Sequence, residues 1–168
     1  MYILGIDPGT ATIGFGCIEV IGQQAATAVS YGIIQTDKRM DMPNRLLVLH
    51  TDMTELLTDL KPDVMAVEEL FFLKNVNTAL PVAQARGVIL LAAAQAGVPV
   101  VGYTPAQVKL TVTGSGRAEK IEVQEGVRDL LDLATIPRPD DAADALGIAL
   151  THWQVLAGRG ELPRAVAG

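Results

Sequence analysis

Tyr2-Ile3-Leu4-Gly5-Ile6-Asp7-Pro8-Gly9-Thr10 opens the chain with an apolar run that stops at an acid and a turn. Strand propensity accounts for Tyr2 to Ile6, and Pro8-Gly9 accounts for the turn. Neither accounts for Asp7. A carboxylate at the inner edge of a buried strand is costly unless it is paired, protonated or bound to a metal. Asp7 either caps the turn through backbone amides or belongs to a site built from distant segments.

Working outward, Thr12 to Ile21 and Ala25 to Thr36 read as a second and third strand joined at Gly22-Gln23-Gln24, an antiparallel meander. Asp41 and Pro43 signal a helix start. Leu46, Leu49, Met53, Leu56, Leu57 and Leu60 follow at three- and four-residue steps, until Lys61-Pro62 ends the helix. Asp63 to Leu70 is a fourth strand. Arriving after a helical crossover, it should run parallel to the strand before that helix or to another near it. Asn77 to Ala96 reads as a long helix in which Pro81 is awkward, and Val98 to Tyr103 as a fifth strand. Pro105 opens a short helix to about Leu110, followed by a loop over Thr113-Gly114-Ser115-Gly116. Helices over Ala118 to Leu133 and Asp140 to Leu156 complete the chain, with a stiff break at Pro137-Arg138-Pro139 between them. The order predicts an α/β fold: a five-stranded mixed sheet with helices on both faces.

The 168 residues are 49% hydrophobic with a mean hydropathy of +0.32, enough to fill one core. A single domain over residues 1–157 with a frayed tail over 158–168 is expected. The longest apolar run, Val88 to Ala94, is too short to span a bilayer, and Met1 leads almost directly into the first strand. No membrane segment and a cytoplasmic location are therefore expected. The lone Cys17 reads as a small buried hydrophobe. A net charge of −6 argues against a nucleic-acid partner on its face. Acids clustered around divalent cations would be neutralised by them, however, and basic residues gather between Lys74 and Arg128.

Two further acidic groups stand out. Glu68-Glu69 ends the fourth strand, as a solvated terminus or a functional edge. Side chains alternate along a strand, so at most one of the pair can share a site with Asp7, and the residues alone leave open which. Asp140-Asp141-Ala142-Ala143-Asp144 opens the last helix, where acids also complement the helix dipole. Asp144 lies past the first turn among apolar residues. Asp141 and Asp144 project from one helical face, and Ala142, Ala143 and Ala145 are small enough to let it approach the sheet. Four converging acids without bases among them persist when hard divalent cations sit between them, and all-oxygen ligation suits Mg2+ or Mn2+. Two such ions, roughly 4 Å apart, clamp the attacking and leaving oxygens of a phosphodiester. His50 and His152 read as partly exposed surface histidines on helices.

Together ILGIDPGT, AVEELF, KNVNTALPVAQARGV, QVK, AEK and DDAADALGIALTH, in this order and spacing, resemble the RuvC family of Holliday-junction resolvases. The resemblance runs from Met1 to about Trp153. It implies a ribonuclease H-like fold and a homodimer that cuts two opposed strands of a four-way DNA junction. Asp7, Glu68 rather than Glu69, Asp141 and Asp144 match the family's catalytic metal ligands, with two ions per site. Phe71 falls at an aromatic that stacks on or wedges junction bases. Lys109 and Lys120 fall at basic positions along the DNA path. Lys74 joins them as a DNA contact, and so does Arg117, beside a Gly-Ser-Gly loop able to follow a phosphate backbone. Ala83, Gly87 and Leu91, on a small-residue stripe of the long helix, are placed at the dimer interface. A junction-migrating helicase complex is a possible partner. Two departures bear on the strength of DNA binding rather than on the chemistry: acidic Glu69 follows Glu68, and the tail is only lightly basic.

Two other classes compete. Asp7-Pro8-Gly9-Thr10 also resembles the phosphate turn of actin and sugar-kinase-type proteins, which need a second domain to close over nucleotide. A non-catalytic junction binder would have no need of four intact acids.

Overall fold

The computed structural model describes residues 1–9, 11–22, 25–69 and 76–160. Phe71 and Lys74 lie outside the described residues, as does the tail beyond residue 160. Five strands form one sheet in the order β3-β2-β1-β4-β5: β1 (Tyr2–Asp7), β2 (Thr12–Ile21), β3 (Ala25–Gln35), β4 (Val64–Glu68) and β5 (Val100–Tyr103). The first three make the expected meander, pairing Asp7 with Gly14 and Gly14 with Ile33. β4 runs in the direction of β3 and β1, as a helical crossover requires, but pairs with β1, setting Ile6 opposite Val67, and β5 extends the parallel half with Tyr103 opposite Glu68. The sheet is therefore mixed, and helices cover both faces as the element order predicts.

One face carries α1 (Met42–Leu60) and α2 (Val76–Gln95). Asp41 caps α1 by accepting from the Asn44 amide at 3.2 Å, and Leu49, Met53 and Leu57 bury at four-residue steps. Lys61 ends it in a left-handed conformation at φ 45°, and Pro62 prevents resumption. These helices pack on Leu4, Ile6, Cys17, Met65 and Val67. Cys17 is fully buried, as expected. α2 runs through Pro81 near its start. His50 joins the two helices, its Nε2 2.7 Å from Gln95 Oε1.

The other face carries α3 (Pro105–Thr113), α4 (Lys120–Leu130) and α5 (Asp140–Leu156). α3 starts at Pro105 as expected, on a Thr104–Gln107 capping box, but runs longer, because Gly114, at φ 79°, stops it only after Thr113. α4 is shorter than its apolar pattern suggests: Glu119 and Glu122 form a capping box at the start, and Asp132 turns left-handed at φ 50° beyond the end. Pro99, with no amide hydrogen to give, delays the start of β5 to Val100.

α5 lies between the sheet on one side and α3 and α4 on the other, and is buried from Ala145 to Gln154. This corrects the reading of His152 as a surface residue. It is 7% exposed, and its Nδ1 lies 2.8 Å from the hydroxyl of fully buried Tyr103. Burial lowers the imidazole pKa, favouring the neutral ring, and His152 packs as part of the core.

α5 sits close to the sheet because the strands beneath it carry glycine at three points of contact. A Cβ on Gly5 would stand 2.0 Å from the Ala145 carbonyl oxygen, and one on Gly14 2.0 Å from that of Asp141. On Gly16 it would meet the Leu146 amide nitrogen at 2.7 Å. Among the described residues no helix is long and apolar enough to cross a membrane.

Gly14→Ala should therefore push the first turn of α5 away from the sheet. Urea denaturation should show a loss of about 1–3 kcal/mol or more. The control is Gly116→Ala, whose added Cβ meets nothing nearer than the Ala106 carbonyl oxygen at 3.6 Å. It should leave stability within about 0.5 kcal/mol.

Candidate metal centre

The carboxyl ends of β1 and β4 lie side by side, and each ends in an acid. Alternation along β4 shows which of Glu68 and Glu69 faces Asp7. Val64 and Ala66 pack with Ile3 on the α5 side, while Met65 and Val67 pack with Leu4 and Ile6 on the α1–α2 side. Glu68 follows Val64 and Ala66, onto the face that bears Asp7. Glu69 turns to the opposite face, where its Oε1 lies 2.7 Å from the place a Cβ on Gly102 would take.

From above, α5 brings its first turn over the same point. Its N-cap is Pro139, which makes no side-chain cap, so neither Asp140 nor Asp141 serves as one. Asp7, Asp141 and Asp144 each offer an oxygen, and these atoms all lie within 4.8 Å of one another. Glu68 lines a cavity of about 260 Å3 together with Asp7, Asp144, Lys109, Lys120 and the apolar Val108 and Val123. Lys109 reaches it from α3 and Lys120 from the start of α4. Arg117 is exposed on the loop before α4, its amide donating to Ser115 Oγ at 3.3 Å. On α2, Ala85, Ile89, Ala92 and Ala93 face the core. Gly87 and Leu91 are exposed, and Ala83 is half-buried.

Electrostatics show what such an arrangement costs. Burial, then the charges of Asp144 and Asp141, push the Asp7 carboxyl up to about 7, with Lys120 opposing. Burial, then Asp7 and Asp144, push Glu68 up to about 8, with Lys109 opposing. Asp144 is also raised, by burial first, although Lys120 pulls the other way. Burial would lower the Lys120 ammonium, but Asp144, Asp140 and Asp141 together hold it above its ordinary value. All-oxygen, mutually repelling and partly buried carboxylates of this kind fit hard divalent cations such as Mg2+ or Mn2+.

Three features of this site escape a reading of the sequence. Gly5, Gly14 and Gly16 set the approach of α5. Tyr103, opposite Glu68 in the ladder, is tied to α5 through His152. Asp140 pairs with Arg138 and Lys120. Only the glycines leave a sequence signal, as small residues spaced by two within strand-forming runs.

Residues 3–152 match the family model described as crossover junction endodeoxyribonuclease RuvC. A protein of that description from Brevibacillus brevis is 56% identical over 154 residues, covering 92% of this chain and 92% of that one. The Thermus thermophilus RuvC structure superposes with a TM-score of 0.87 at 38% identity, covering 98% of this chain and 100% of that one. The structure of T. thermophilus RuvC in complex with Holliday junction substrate superposes with a TM-score of 0.86 at 36% identity, over the same shares.

The raised carboxyls set the pH dependence of the metal-free protein. Asp7 and Glu68 hold protons in the folded chain at pH values where the unfolded chain, with ordinary carboxyls near 3.8 and 4.5, has lost them. Their contribution is therefore favourable below about pH 4 and is lost as pH rises through about 7 to 8. In a chelator, urea midpoints should fall between pH 5 and 8, and Mn2+ should restore them. Asp7→Asn should stabilise the metal-free protein at pH 8 by roughly 1–3 kcal/mol and blunt the Mn2+ effect. A flat pH profile would contradict this.

Proposed function

The chain belongs to the family of RuvC crossover junction endodeoxyribonucleases, and from that membership we propose a two-fold-symmetric enzyme that nicks opposed strands of a four-way DNA junction in recombination and repair. The observation that carries this reading is the meeting of acids from three remote segments in one cavity flanked by Lys109 and Lys120. Asp7, Glu68, Asp141 and Asp144 would hold Mg2+ or Mn2+, two ions to a site. Such ions, when bound, lower the pKa of attacking water and neutralise charge developing on the phosphate.

The chain's own residues do the rest. Asp7 stands at the end of a buried central strand, so its carboxylate is fixed relative to Glu68 by the sheet ladder. α5 supplies Asp141 and Asp144 from a helix held rigidly by its own burial. Lys109 and Lys120 place ammonium groups beside the cavity, where a phosphate backbone would be steadied. Arg117 extends that path along the loop before α4. Phe71 and Lys74 complete the proposed DNA contacts by resemblance to the family.

Paired cuts require two sites related by a two-fold axis. The outer face of α2 supports such a contact: Leu80 and Leu91 are 64% and 52% exposed, with Gly87 bare between them and Ala83 alongside. A cytoplasmic location and a partnership with a junction-migrating helicase belong to the same proposal.

The test is incubation with a synthetic four-way junction and Mg2+ or Mn2+, followed by mapping of the nicks. Symmetric nicks on two opposed strands are expected. Asp7→Asn should cut at least about 10³-fold more slowly while still binding the junction. Binding without any nicking by the unaltered protein would overturn the reading. Junction affinity should also fall steeply with salt, and Lys109→Ala should reduce the slope of log K against log salt by about one.

A further inference from the structure

Lys120 is shared between two carboxylates, only one of which belongs to the converging set. Its Nζ lies 3.2 Å from Asp144 Oδ2 and 3.6 Å from Asp140 Oδ2. Asp140 and Asp144 stand four residues apart on α5, so their side chains are neighbours on one face. Asp140 is the more exposed, 42% against 30%, and lies toward the rim. Its other oxygen, Oδ1, is held by the Arg138 guanidinium, which turns Oδ2 toward Lys120. Asp140 is not among the acids whose oxygens converge with Asp7.

An ammonium resting on Asp144 and a divalent cation drawn to the same carboxylate repel each other in a partly buried setting. Without another resting place, Lys120 would either compete for Asp144 or go unpaired at the cavity mouth. We propose that Asp140 is a positioning residue that receives Lys120 when Asp144 takes up a cation, keeping the ammonium at the rim where a phosphate arrives. The proposal rests on the reading of Asp7, Glu68, Asp141 and Asp144 as cation ligands. Asp140 itself touches neither cation nor DNA in this scheme. It acts through Lys120, oriented by Arg138.

The experiment is calorimetric titration of Mn2+ into the DNA-free full chain, for the unaltered protein, Asp140→Asn, Lys120→Met, the double variant and Asp140→Glu. Loss of a nearby negative charge alone would weaken Mn2+ binding equally with or without Lys120. The proposal instead expects Asp140→Asn to weaken binding about 5- to 10-fold when Lys120 is present. In the Lys120→Met background the same change should alter affinity less than about twofold. Asp140→Glu, which keeps the receiving carboxylate, should stay within about threefold of the unaltered protein. Equal weakening in both backgrounds, or no weakening in either, overturns the proposal. In both of those outcomes the unaltered protein still binds Mn2+ and the metal reading stands. An unaltered protein that binds no Mn2+ overturns both.

Discussion

Asp7, Glu68, Asp141 and Asp144 repel one another where the fold holds them, and the rest of the structure can be read as what makes that repulsion tolerable. Two strand ends and one helix turn press negative groups together in a cavity whose walls include Val108 and Val123. Burial first, and then the neighbouring charges, push Asp7 up to about 7 and Glu68 up to about 8, so without a cation these two carboxyls retain protons well above the ordinary carboxylate range. Lys109 and Lys120 relieve part of the load, and neither removes it. A site strained in this way would exchange protons for cations as pH rises, and metal affinity and fold stability would then be linked through the same groups.

The strain is sustained by rigid support on each side. β1 and β4 are parallel neighbours at the middle of the sheet, so the Asp7-to-Glu68 spacing is set by backbone hydrogen bonds. α5 is held against bare glycine backbone at Gly5, Gly14 and Gly16, where any added side chain would collide with the helix. The Tyr103–His152 hydrogen bond ties the end of β5, next to Glu68, back to α5 well beyond Asp144. Each of these contacts spans segments far apart in the chain. The geometry of the acids is thus a property of the whole fold rather than of any one motif.

How much of this the sequence discloses follows from the range of each interaction. Strand runs, the Asp41 cap of α1, the Lys61-Pro62 stop and the acidic start of α5 depend on near neighbours, and they are legible. Ends of elements shift by a few residues where a cap or a proline decides, as at Gly114, Glu119 and Pro99. The family resemblance already favours Glu68 over Glu69. The physical reason appears only when β4 is set in register with β1, because alternation needs a reference face. His152 looks like a surface residue from its type and place. Only the packed fold buries it, against Tyr103 of β5. The role of the strand glycines is hidden for the same cause: what they leave room for is a helix more than a hundred residues later.

The most direct measurement is anomalous diffraction from crystals grown with Mn2+. The account predicts anomalous density roughly 2.1 Å from an Asp7 oxygen, shared with ligands from Glu68 and from Asp141 or Asp144. Manganese bound only elsewhere, with these four carboxylates left facing water and lysine, would contradict it.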